Sequence, residues 1–264
     1  MAMRYFDTHA HYTDKRFTDE YEGGAEALLG TVFASGVEKI INVGTNIENS
    51  IECCNQAKAF NGMYAAAGIH PSDCKDLFDV DSEMSKLTAL LDRKDELKIV
   101  AVGEIGLDYY WDNSYKDLQL QYFERQLDIA AEYGLPAIIH DREAHGDCFE
   151  TILRHPHARG ILHSFSGSPE MALELVRRGW YISFSGVVSF KNSRKAREVA
   201  AAIPEDKILI ETDCPYLAPE PFRGRLNRSD YLKYTLKAIA DVRNSDEEAL
   251  SLVIFNNSIN AFCI

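Results

Sequence analysis

No uninterrupted apolar run in this 264-residue sequence is long enough to cross a bilayer, and no basic segment followed by an apolar one opens it. The expectation is a cytoplasmic protein with no membrane partner. No C-x-x-C pair occurs among Cys53, Cys54, Cys74, Cys148, Cys214 and Cys263, and Cys53 and Cys54 are adjacent. That pattern predicts reduced, mostly buried thiols rather than a disulfide framework. An excess of positive charge is missing too: 28 Lys and Arg stand against 41 Asp and Glu, a formal net charge of -13. An acidic surface repels nucleic acid at long range, so a phosphate-bearing substrate would need local positive charge. No G-x-G-x-x-G follows a strand, which weakens the case for a doubly wound dinucleotide-binding sheet. No linker, low-complexity tract or second core interrupts the chain, which reads as one domain over residues 1–264. Met1 and Ala2, ahead of Met3, are given no function.

What is present is an alternation. Short apolar runs separate longer amphipathic stretches, and 46% of the residues are hydrophobic, enough for a sizeable core. Strands are expected at residues 4–6, 39–44, 63–70, 99–104, 137–140, 160–163, 181–184 and 208–213. Helices are expected at 22–35, 49–60, 81–94, 116–133, 143–154, from Pro169, at 193–202, and twice after Ser229 with a break near Asn244-Ser245. In the helix at 116–133, Leu120, Phe123, Leu127 and Ala131 share a face. Eight apolar strands alternating with helices in a chain of this length predict a (β/α)8 TIM barrel.

The polar residues at the strand ends carry the chemistry. His9 and His11 are two apart, so on an extended chain they point the same way, with Asp7 on that face. His70, Glu104, His140, His163 and Asp213 each close, or just follow, an apolar run. In a barrel these ends meet at one rim, where active sites lie. A carboxylate directly after Ile99-Val100-Ala101-Val102-Gly103 would be costly to bury unpaired, and a metal is a better partner than a helix cap. The same argument applies to Asp213. Four histidines with Glu104 and Asp213 exceed the ligand set of a single tetrahedral ion and suit two divalent ions, with Glu104 able to bridge them. Zinc, magnesium or manganese would each fit this mixture of imidazole and carboxylate. His70, before Pro71, is assigned to substrate contact. His145, His155 and His157 read as surface residues, and Asp108 and Tyr109 as residues that shape the loop or support a ligand.

A family resemblance rests on several motifs in order. They are Phe6-Asp7-Thr8-His9-Ala10-His11, Gly68-Ile69-His70-Pro71, Gly103-Glu104-Ile105-Gly106-Leu107-Asp108-Tyr109 and Pro136-Ala137-Ile138-Ile139-His140-Asp141-Arg142. They continue with His163-Ser164-Phe165-Ser166-Gly167, Tyr181-Ile182-Ser183-Phe184-Ser185-Gly186 and Glu211-Thr212-Asp213-Cys214-Pro215-Tyr216-Leu217. Together they resemble the TatD family of metal-dependent deoxyribonucleases from about Tyr5 to Gly224. The resemblance implies an amidohydrolase-like barrel, a two-metal site and 3′-to-5′ exonuclease activity on DNA ends, single-stranded ends in particular. By position it implies that His9, His11 and Asp213 hold one ion, His140 and His163 the other, and Glu104 both. Asp213 and Glu104 are the expected catalytic carboxylates, with Asp213 placed to orient a water or take its proton.

The chain departs from the family pattern at three places. Ser164 stands where cysteine is frequent, Cys214 where serine is frequent, and Leu226 where the family has a basic residue in Arg223-Gly224-Arg225-Leu226-Asn227-Arg228. Arg223 and Arg225 are the expected phosphate contacts, with Arg228 a candidate to replace the charge missing at Leu226. Lys191, Arg194, Lys195 and Arg197 form a basic run that reads mainly as a solvated helix face. Two competing functions are a metal-dependent deacylase or amidohydrolase, which the carboxylate at position 104 disfavours, and a non-catalytic barrel, which intact ligand positions disfavour. No obligate protein partner is expected, and the chain is read as a monomer.

Overall fold

The computed structural model describes residues 3–77 and 79–264; Met1 and Ala2, which the sequence leaves without a function, lie outside the described residues. Among the described residues there are eight strands: β1 Tyr5–Ala10, β2 Val37–Val43, β3 Met63–Ala67, β4 Ile99–Asp108, β5 Ala137–Arg142, β6 Gly160–Leu162, β7 Tyr181–Phe184 and β8 Ile208–Ile210. They form one sheet in the order β1 to β8. Pairs such as β3 with β4 and β7 with β8 are parallel. The last strand returns to the first. The Asp213 N–H donates to the His9 carbonyl at 2.9 Å and the His11 N–H to the Cys214 carbonyl at 2.8 Å, with a parallel bridge between Ala10 and Cys214. Sheet closure with an intervening helix after each strand makes this a (β/α)8 TIM barrel.

The helices are α1 Lys15–Glu20, α2 Gly24–Ala34, α3 Ile47–Ala59, α4 Val80–Leu91, α5 Lys94–Leu97, α6 Lys116–Glu132, α7 His145–Arg154, α8 Pro169–Arg177, α9 Arg194–Ala202, α10 Leu232–Arg243 and α11 Glu247–Phe262. All eight expected strands and each expected helix are present. The short α1 and α5 were not foreseen; the signal for α1 is Asp14, whose side chain caps it by accepting from the Arg16 N–H. Pro169 opens α8 behind the capping Ser168, as its fixed φ and missing N–H favour. No described helix is long and apolar enough to cross a membrane. None of the six cysteines is in a disulfide; five are buried and Cys263 is exposed.

The chain divides into two compact units, one made of the chain up to Asn42 with His163–Ala261, the other of Val43–Leu162 with Phe262–Ile264. In the first unit Asp7 ties β1 to the chain after β8: its carboxylate accepts the Thr212 N–H at 2.9 Å and the Thr212 hydroxyl at 2.5 Å. In the second unit every residue of β4 is buried. Two buried glutamines of α6, seven residues apart and therefore on one face, clamp strand ends there. Gln126 accepts from the Ile69 N–H at 2.7 Å and donates to the Ile69 carbonyl at 3.1 Å. Gln119 does the same to Asp108, at 2.9 and 3.0 Å. The expected apolar face of α6 is turned accordingly: Phe123 and Leu127 are buried, but Gln119 and Gln126 join them while Leu120 and Ala131 are only half-buried.

Candidate metal centre

In the first unit, β1 and the turn after β8 bring His9, His11 and Asp213 together. His9 Nε2 and His11 Nε2 are 2.9 Å apart, and Asp213 Oδ1 lies 3.7 Å from the first and 3.4 Å from the second. Four ligands around an ion with bonds of about 2.1 Å are separated by roughly 3.4 Å along each edge. The three donor atoms therefore have the spacing of three corners of such a shell. His9 is fully buried and His11 nearly so, and their facing ring nitrogens share a hydrogen bond at the place where an ion would sit between them. Asp213 sits in the left-handed region at φ 55°, an unusual conformation for a non-glycine residue, and its N–H is held by the His9 carbonyl. Burial pushes the Asp213 carboxyl up. The hydrogen bond from His11 and the nearby His9 and His163 outweigh that and hold it below the usual carboxylate range.

His163 belongs to the same unit. Its ring stacks on His9 with centroids 4.0 Å apart and planes 13° from parallel. Its Nδ1 lies 3.2 Å from Glu211 Oε1, and that oxygen also accepts the Ser164 N–H at 2.7 Å. A carboxylate on Nδ1 fixes the tautomer and leaves the Nε2 lone pair for an ion. Glu211 is fully buried, and its role was not foreseen; a charged residue inside the apolar run Ile208-Leu209-Ile210 to Thr212 was the signal available.

In the second unit, β3, β4 and β5 bring His70, Glu104 and His140 together, with one candidate ligand atom from each within 4.8 Å of the others. Glu104 Oε1 lies 2.7 Å from His140 Nδ1 and 3.6 Å from His70 Nε2. His140 Nε2 is 3.0 Å from Asp108 Oδ2. The ring thus sits between two carboxylates, Glu104 at Nδ1 and Asp108 at Nε2; Asp108 orients it from Nε2 as Glu211 orients His163, which makes Nδ1 the nitrogen that would meet an ion beside Glu104. Burial raises the Asp108 carboxyl, but the hydrogen bond from His140 and its charge bring the net position below the usual range. His70 differs. Its Nδ1 accepts the Ser72 N–H at 3.1 Å, so the neutral ring carries its proton on Nε2 and presents a donor. That tautomer suits contact with an anionic substrate better than ligation.

The sequence Gly103-Glu104-Ile105-Gly106 has a steric origin. A Cβ at Gly103 would lie 2.7 Å from Ile138 Cβ, and one at Gly106, where φ is +137°, would lie 2.0 Å from the His140 carbonyl oxygen. Both glycines let β4 run against β5 closely enough for Glu104 to meet His140.

The expected substrate residues Arg223 and Arg225 are exposed on the loop after β8, and Arg223 rests its guanidinium over the Phe190 ring at 4.5 Å from the centroid. Arg228 is committed to Asp230 through both Nε and Nη2, the latter at 2.9 Å from Oδ2, so it does not replace the charge absent at Leu226. In the basic run, Arg197 donates to the carbonyls of Val188, Ser189 and Phe190, and Arg194 pairs with Glu198. Arg194 is exposed and self-paired, as a solvated face implies, whereas Arg197 is half-buried and structural, so the expectation does not hold for it. His145 and His155, read as surface residues, are half-buried, with His145 Nδ1 2.8 Å from Asp141 Oδ2.

A family profile described as TatD related DNase matches residues 6–263. The chain is 38% identical over 262 residues to YabD of Bacillus subtilis, named an uncharacterized metal-dependent hydrolase, covering 98% of this chain and 99% of that one. It is 33% identical over 263 residues to YjjV of Escherichia coli, also named a metal-dependent hydrolase, covering 99% of each chain. The crystal structure of YjjV, described as a TatD homolog, superposes with a TM-score of 0.90 over all of both chains at 30% identity. A TatD family hydrolase from Entamoeba histolytica shares the fold, with a TM-score of 0.84 at 22% identity over 99% of each chain. The chain therefore belongs to the family of TatD-related DNases and is a metal-dependent hydrolase.

Proposed function

We propose that this protein is a deoxyribonuclease that hydrolyses phosphodiester bonds at the 3′ ends of DNA, with two divalent ions per chain. What carries the proposal is the clustering of donors at strand ends, His9 with His11 and Asp213, and Glu104 with His140, in a member of this family. From the motif positions, His9, His11 and Asp213 hold one ion, His140 and His163 the second, and Glu104 is shared. Zinc, magnesium and manganese all fit imidazole and carboxylate donors.

When bound, such ions acidify a water and neutralise charge on the phosphoryl group. The chain's own residues do the rest. Asp213, whose low pKa keeps it ionised, orients the attacking water and takes its proton. Glu104 holds the ligand set together. The His70 Nε2–H donates to a non-bridging phosphoryl oxygen, and Arg223 and Arg225 grip phosphates next to the scissile bond.

The test is metal-dependent release of nucleotides from 3′-labelled single-stranded DNA, run beside release of p-nitrophenol from an acyl ester and from a phosphodiester. Nucleotide release that stops with a chelator and returns with a divalent ion is the expected result. Turnover of the acyl ester alone would replace this reading with a deacylase.

A further inference from the structure

The loop after β4 carries an exposed aromatic pair. Tyr110 is 53% exposed and Trp111 71%, the latter the most exposed of the large hydrophobic side chains among the described residues. The two rings meet edge to face at 86° with centroids 4.9 Å apart. The guanidinium of Arg142 lies over the Tyr110 ring at 3.9 Å and 5.3 Å from the Trp111 centroid. These three residues are not a stray surface cluster. Arg142 ends β5 opposite Asp108 in the β4–β5 register, two residues after His140. The Tyr110 N–H donates to Asp108 Oδ1 at 2.9 Å, and the other carboxylate oxygen of Asp108 holds His140. The platform is thus built on the same carboxylate that orients a candidate ligand.

Trp111 keeps most of its ring in water, and Tyr110 and Arg142 hold it beside a charged group, a surface suited to a ring-bearing ligand. Arg142 supplies the charge complement: a guanidinium beside aromatic faces, on a chain whose net charge is -13, matches an anion that also presents flat rings. An unpaired nucleotide has both. We infer that Trp111, Tyr110 and Arg142 form a stacking platform for an unpaired nucleobase of the DNA substrate. Trp111 presents the open face, Tyr110 braces it from the side, and Arg142 meets the adjoining phosphate. A duplex end would have to unstack its terminal base to reach the ring. This inference rests on the proposed DNase reading.

Two measurements test it, and they fail separately from that reading. The first uses the chain's two tryptophans: Trp180 is 2% exposed, so the solvent-exposed indole signal belongs to Trp111. Titrating the metal-loaded protein with a short single-stranded oligonucleotide should quench and shift that emission. An oligonucleotide of the same length lacking bases at its 3′ end should not, and Trp111→Phe should lose the spectral change. The second is kinetic. Trp111→Ala should raise KM for a single-stranded oligonucleotide by about five-fold or more, the worth of one base stacked on an aromatic ring, and by less than about two-fold for the abasic one. Wild-type preference for single-stranded over blunt duplex ends should shrink in the same variant. If the wild type degrades DNA but emission is unmoved and Trp111→Ala keeps the wild-type KM, the platform is refuted and the DNase reading stands. If no DNA is degraded and no oligonucleotide quenches the indole, both fall.

Discussion

Glu211 and His163 are joined at 3.2 Å between Oε1 and Nδ1, and the same Glu211 oxygen takes the Ser164 N–H at 2.7 Å. One fully buried carboxylate thus fixes both the ring of His163 and the backbone that follows it, where Ser164 is held at the left-handed φ of 39°. Glu211→Gln keeps an acceptor for both donors and removes the charge that makes the imidazole a better ligand. The expected outcome is a drop in metal affinity of about 10- to 100-fold, read by titration calorimetry, with folding retained. Glu211→Ala should in addition cost roughly 1–3 kcal/mol of stability in urea, because the half-buried Ser164 N–H loses its acceptor. Unchanged metal affinity in Glu211→Gln would mean that His163 is positioned by packing on His9 alone.

The two donor sets predict separable metal losses. His9→Ala removes one of three closely spaced donors from the set with His11 and Asp213, and His140→Ala one from the set with Glu104. Each should weaken mainly one of two binding events by metal titration, while Glu104→Ala should weaken both and abolish turnover. Equal weakening of both events in each histidine variant would contradict the assignment of ions to residues.

Asp7 predicts a pH dependence of stability. Burial pushes its carboxyl up to about 7, against hydrogen bonds from Ser229, Thr212 and His9 that pull it down. The folded chain therefore keeps a proton on Asp7 that the unfolded chain releases near its ordinary value of 3.8. Between those values the native state binds more protons, so this group's contribution to stability falls as pH rises from about 4 to about 7 and is level beyond. The full span is on the order of 4 kcal/mol. Urea unfolding of the wild type and of Asp7→Asn at pH 5, 6, 7 and 8 should show the stability of the wild type relative to the variant declining with pH up to about 7. A relative stability that rises with pH over that interval would show Asp7 ionised in the fold.

Where the sequence was most readable, the reason was periodicity and position. Each strand is a short apolar run flanked by turn residues, and a polar residue ending such a run stands out, which is how His140, Glu104 and Asp213 were found. The misses share a different cause. Glu211, Gln119 and Gln126 are polar residues buried on faces that look amphipathic or apolar, and their partners are 48, 11 and 57 positions away. Only the folded chain says that Gln126 meets the Ile69 backbone, because no local pattern encodes a bond to the segment that follows β3. Arg228 shows the converse. Its charge is visible in the sequence, but Asp230, two residues on, holds it. Tyr110 and Trp111 look like ordinary apolar residues in the sequence; only their exposure marks them.

The loop after β8 gives the last prediction. Metal ligands set the reaction, but discrimination between a DNA end and a small phosphodiester needs groups beyond them. Arg223 is exposed, and its guanidinium is steadied over Phe190, an arrangement that holds the fork in place without neutralising its charge. If it grips a phosphate beside the scissile bond, Arg223→Ala should raise KM for oligonucleotides at a cost of roughly 1–3 kcal/mol, the worth of a charge-assisted hydrogen bond. The slope of log binding against log salt should fall by about one contact's worth. A small chromogenic phosphodiester has no flanking phosphate to lose, so its KM should move far less. Leu226 sits half-buried in the same loop, and Arg228 is already spent on Asp230. Leu226→Arg should therefore add a cation that nothing nearby replaces, and tighten oligonucleotide binding at low salt but not at high salt, where the added attraction is screened. Equal slowing of both substrates by Arg223→Ala would make the arginine a support of the catalytic centre. No effect on either would leave it a surface residue and remove phosphate gripping by this loop from the mechanism.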